Sequence, residues 1–145
     1  MEKDLLDNIE QEQGKVYSIK TIVFSAFFAG ILASGFMIYK NYKTFGDIKK
    51  ANRSLFCTIL LLILIISTMF VPALEKVPGF FYSILLTLGT SIFVNRFQRD
   101  LVNNHVSKGG RLYETGNVVA VCIVSILIIV GLILVPFFLQ DFVFN

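Results

Sequence analysis

Apolar residues are gathered along this chain into four long blocks, over residues 18–39, 54–74, 78–97 and 118–139, and none has an Asp, Glu, Lys, Arg or His in its interior. A helix needs about 20 apolar residues to cross a hydrocarbon core, and each block is long enough. The second block, read as SLFCTILLLILIISTMFV from Ser54, has no polar stripe of the kind that an amphipathic helix of a soluble domain carries. Nor does it alternate apolar and polar residues at every second position, as a barrel strand does. The pattern predicts an all-α polytopic membrane protein. Its four transmembrane helices form one bundle over residues 18–145, behind an acidic tail of residues 1–17.

Composition agrees with that division. The chain has 145 residues, 55% of them hydrophobic and only 16% charged, with a mean hydropathy of +0.73. Five acids and three lysines lie in the first twenty residues. A secretory signal would begin positive, so the first block is expected to remain as an anchor.

Charge sets the expected orientation. Lys40, Lys43, Lys49, Lys50 and Arg53 follow the first block, and Arg96, Arg99, Lys108 and Arg111 follow the third. Basic loops stay in the cytoplasm. Both long loops are therefore expected inside as one basic face, and both termini outside. Such a face attracts anionic lipid. A membrane-protein partner or a second copy of the chain is also open to it, and nothing in these runs points to nucleic acid.

Within the blocks, small and polar residues mark packing surfaces. Ser25, Ala29 and Ala33 form one row of the first helix, and Ala26, Gly30 and Ser34 the next. Small residues let helix backbones approach closely in lipid, where the hydrophobic drive between helices is weak. The third helix carries Ser83, Thr87, Ser91 and Asn95 at every fourth position. The expectation is that this stripe packs on the small-residue face, making the first and third helices an inner pair and the second and fourth an outer one. The other reading of the stripe is a hydrated path in an oligomer. The second and fourth blocks also rhyme, CTILLLILIISTMFVP against CIVSILIIVGLILVP, as a parallel duplication would.

Candidate chemistry is sparse. His105 is the single histidine, with no ligand set around it for a metal. SKGGR lacks the spacing of a phosphate loop, and no nucleophile elbow or carboxylate pair is present. Cys57 and Cys122 read as buried small hydrophobes. No catalytic, cofactor or metal residue is assigned. A lipid-modifying enzyme would have to draw on Arg96, Arg99, His105 or Arg111. Lys108-Gly109-Gly110 is a natural helix stop.

Residues 17–46, YSIKTIVFSAFFAGILASGFMIYKNYKTFG, resemble the first helix and loop of small uncharacterised bacterial four-helix membrane proteins. His105 with Gly109, Gly110 and Tyr113 is similar to a second patch in them. The resemblance implies a bacterial inner membrane and carries no activity. The function expected is a non-enzymatic small subunit or adaptor of a membrane complex; the alternative is a homo-oligomeric channel or small transporter lined by the third helix.

Overall fold

Ser18 starts the first helix. Its backbone is extended, and its Oγ accepts the Thr21 N–H at 3.1 Å, satisfying a donor the first turn leaves open. A computed structural model of the chain describes residues 14–68, 71 and 77–144, with backbone alone over 135–144. Within these residues β1 (Lys15–Val16) leads into α1 (Ile19–Thr44), and Gly46, at φ 79°, turns the chain into α2 (Ile48–Thr68). Asp47 caps α2, its Oδ1 accepting the Lys50 N–H at 3.0 Å. Then come α3 (Gly79–Phe97), α4 (Arg99–Ser107), β2 (Arg111–Leu112) and α5 (Thr115–Phe144). Gly109, at φ 89°, follows the end of α4, at the stop that Lys108-Gly109-Gly110 predicts. The fold is all-helical apart from the two short strands, which pair in parallel, Lys15 with Arg111 and Val16 with Leu112. Among the described residues four helices, α1, α2, α3 and α5, have the end-to-end length and composition of membrane spans.

The first of them does not run straight. Gly30 has φ 73° and ψ −165°, outside the helical region, and so divides α1 into residues 19–29 and 31–44. The Tyr17 N–H donates to Asn41 Oδ1 at 2.7 Å, Asn41 Nδ2 donates to the Tyr17 carbonyl at 2.9 Å, and Thr44 Oγ1 donates to the Lys15 carbonyl at 3.2 Å. An unbroken helix would hold residues 17 and 41 about 36 Å apart, at 1.5 Å per residue. The two halves must therefore lie antiparallel, as a helical hairpin with its tip at Gly30. Tyr17, Ile22, Met37, Ile38 and Tyr42 accordingly share one core cluster. The arms are about 17 and 21 Å long, each well short of a hydrocarbon core of about 30 Å.

The hairpin is the centre of the fold. Of its apolar stretch 56% is buried, against 17%, 11% and 6% for α2, α3 and α5. Those three helices all pack on α1 and scarcely touch one another. Residues 31–44 form the inner arm, with Ala33, Ser34, Met37 and Asn41 all fully buried. Gly35 lets α2 approach closely, since a methyl group there would overlap the Thr58 side chain. Gly30 faces Ile129 of α5, whose Cδ1 would lie 3.6 Å from a Cβ at the glycine.

Several expectations meet a different arrangement. The first and third helices are not an inner pair flanked by the second and fourth, because α2 and α5 pack on the same hairpin as α3. Lys15 and Val16, expected across the membrane from the two basic loops, instead lie beside β2 and the end of α1. Lys15, Val16 and Tyr17, at the end of the tail read from the sequence, pair with β2 and Asn41. Nor do the two halves of the chain repeat one another, for α1 folds back at Gly30 whereas α3 is a continuous helix. Residues 1–13 and the predicted end of the second span, 69–70 and 72–74, lie outside the described residues.

Candidate functional site

At the end of the molecule away from the hairpin tip, buried amides form a latch. Asn41 Nδ2 donates to Gln98 Oε1 at 3.3 Å as well as to Tyr17, and Gln98 Nε2 donates to the Ile38 carbonyl at 3.0 Å. Asn41 and Gln98 are fully buried and Tyr17 is 2% exposed. Unmet polar groups in such a place are expensive, and among the described residues no buried side-chain nitrogen or oxygen lacks a partner. Tyr17 extends the latch to α5, its hydroxyl donating to Asn117 Oδ1 at 2.8 Å. Its ring stacks on Tyr113 with centroids 4.2 Å apart. His105 Nε2 lies 2.5 Å from the Gly14 carbonyl, and a carbonyl only accepts, so the proton is on Nε2. A methyl group at Gly110 would overlap the same imidazole. The latch thus joins the start and end of α1 to Gln98 between α3 and α4, to the β2 segment and to α5.

The small-residue face is buried as its composition suggests, but its partners differ from those expected. Ser25, Ala26, Ala29, Ala33 and Ser34 are all buried. Ser25 Oγ donates to the Thr21 carbonyl at 2.8 Å and accepts from Cys122 Sγ of α5 at 3.5 Å. Ser34 Oγ sits 3.2 Å from the Gly30 and Ile31 carbonyls, giving the break in the helix a donor.

The polar stripe of α3 meets another surface. Thr87, Ser91 and Asn95 form one wall of an open groove of about 450 Å³, and Ile19, Lys20, Val23, Phe24, Phe27 and Phe28 of the outer arm form the other. Thr87 Oγ1 donates to the Ser83 carbonyl at 2.6 Å, and Asn95 Nδ2 to the Ser91 carbonyl at 2.8 Å. Ser83 is half-buried, beyond this groove. The stripe therefore shares its groove with phenylalanines, and none of the small residues Ser25, Ala26, Ala29, Gly30, Ala33 and Ser34 lines it.

No protein-family model matches the chain, and neither a curated protein nor a solved structure does. What the site can do is read from its own residues.

The latch gathers a basic end. Lys40 is half-buried, and Lys43, Lys49, Lys50, Arg53, Arg96, Arg99, Lys108 and Arg111 are exposed. Lys15 and Lys20 join them once α1 is folded back, making eleven of the thirteen Lys and Arg residues, nine plus two. Sequence reasoning missed these two because a straight first span puts them on the opposite side. It also missed the latch as a unit, although residues of the 17–46 and 105–113 stretches contribute to it. Lys50 Nζ pairs with Asp47 Oδ2 at 2.9 Å, and this pair is open to solvent. The ammonium and backbone N–H of Lys50 hold the Asp47 carboxyl below its ordinary range, and Asp47 in turn raises the Lys50 ammonium. Among the described residues no group of three His, Cys, Asp or Glu is arranged to hold a metal.

Proposed function

We propose that the chain is a non-enzymatic integral membrane protein, a small subunit or adaptor, whose latched basic end is its docking face. One observation carries this reading. The polar side chains at that end with the means for chemistry (Asn41, Gln98, His105 and the Tyr17 hydroxyl) are bonded to backbone, to one another or to Asn117. They hold a shape, and the charges stand outside it.

On this reading α2, α3 and α5 cross the membrane, and the α1 hairpin enters from the basic side and returns. Backbone that breaks its helix at membrane depth is tolerated where protein covers it, and Gly30 is half-buried against Ile129. Ile129 stands near the middle of the apolar run 118–139, so the tip reaches about half-way through. The positive-inside rule then puts the basic end, with the N-terminal side of the chain, in the cytoplasm and the far end of α5 outside. A bacterial inner membrane suits this arrangement.

The test is the mass of the complex released in native lipid. A second protein at fixed stoichiometry, lost on Lys43→Glu with Lys49→Glu and weakened by salt, supports the adaptor reading. The bare chain alone, unchanged by those substitutions, contradicts it.

A further inference from the structure

We infer that the groove between the outer arm of α1 and α3 is a binding site for a single anionic phospholipid. This rests on the membrane orientation proposed above and goes beyond it. The groove is two-sided in chemistry: Phe24, Phe27 and Phe28 on one wall, Thr87, Ser91 and Asn95 on the other. It is also graded along its length. Lys20, in the first turn of α1, stands at the end that lies with the basic loops, and the phenylalanines follow towards the hairpin tip. From Asn95 to Thr87 the polar wall descends about 12 Å at helical rise. A phospholipid has the same order of parts: charged phosphate, ester carbonyls, then hydrocarbon.

The hydrogen bonds single out Ser91. Thr87 spends its hydroxyl proton on the Ser83 carbonyl. Ser91 Oγ accepts from Asn95 Nδ2 at 3.3 Å, and its own proton goes to no acceptor in the described protein. An ester carbonyl of the lipid takes that proton. The phosphate pairs with the exposed Lys20, which makes no ion pair among the described residues. One acyl chain runs over Phe24 and Phe28, which are 63% and 61% exposed, their rings tilted by 37° with centroids 4.5 Å apart. The positive charge at the mouth, increased by Arg96 and Arg99 at the same end, selects an anionic headgroup over a zwitterionic one.

The experiment uses the full chain in nanodiscs of phosphatidylethanolamine with increasing phosphatidylglycerol, followed by native mass spectrometry of the lipid retained. The wild-type chain is expected to keep one phosphatidylglycerol in preference to phosphatidylethanolamine. Lys20→Ala should lower that retention about fivefold, and Lys20→Glu further. Ser91→Ala should lower it less, and Lys49→Ala, at the same end but outside the groove, by under about twofold. Helix content by circular dichroism confirms that the variants fold. Equal retention by wild type and Lys20→Glu overturns the proposal. So does quantitative crosslinking of Ser91→Cys to a second copy, which would make the groove a dimer interface. Lipid and protein fractions are read separately, so a missing protein partner leaves this result intact.

Discussion

Tyr17 and Asn41, twenty-four positions apart, exchange two hydrogen bonds, the Tyr17 N–H to Asn41 Oδ1 at 2.7 Å and Asn41 Nδ2 to the Tyr17 carbonyl at 2.9 Å. A side-chain amide here does what a neighbouring strand would do, giving the segment before α1 both a donor and an acceptor. Because both groups are buried, nothing else can replace it.

Asn41→Ala should therefore destabilise the protein by about 3 kcal/mol, since it strands a buried backbone N–H, a carbonyl and part of Gln98. Unfolding in mixed micelles, followed by circular dichroism, measures this. Tyr17→Phe, which loses the bond to Asn117 but keeps the ring against Tyr113, should cost about 1 kcal/mol. Equal effects of the two variants would mean that the amide is not the keystone.

Gly30→Ala forces a side chain into a positive-φ, extended-ψ conformation that is essentially reserved for glycine, at a cost of about 1–3 kcal/mol. Gly30→Val should cost more, because a β-branched residue tolerates that region least and Ile129 is close by. Were alanine at position 30 stabilising, as in an ordinary helix interior, the break would not be a fixed feature.

The hydropathy pattern made four apolar helices legible, and Lys108-Gly109-Gly110 marked the end of α4. The hairpin was not legible, because a folded-back pair of half-helices and one long helix have the same hydropathy. Gly30 was visible only as one of several small residues. What distinguishes the two is the pairing of Tyr17 with Asn41, a contact between positions that no helical period connects. The partner of the α3 stripe was assigned by analogy of small with polar, whereas Thr87, Ser91 and Asn95 share a groove with Phe24, Phe27 and Phe28.

Gly35→Ala should weaken the packing of α2 on the hairpin, because its methyl overlaps Thr58. Combining it with Thr58→Ala should restore part of the loss, and a double-mutant cycle should give a coupling of about 1 kcal/mol or more. Strict additivity would place the two residues out of contact.

The Asp47 carboxyl is held low by the side-chain ammonium of Lys50, then by its backbone N–H. An acid whose folded pKa is depressed contributes its stability above the ordinary carboxylate range and loses it as pH falls through the folded value. Melting temperatures of wild type and Asp47→Asn should therefore differ at neutral pH and converge in acid. A gap that widens in acid would have the wrong sign.

The most direct test of the fold is the separation of spin labels at Lys15→Cys and Lys43→Cys, with Cys57 and Cys122 replaced by serine. A folded-back α1 predicts a short distance, within the reach of two neighbouring side chains, and labelling of both sites from one side of the membrane. A separation of about 40 Å, the length of an unbroken helix between them, with labelling from opposite sides, would contradict it.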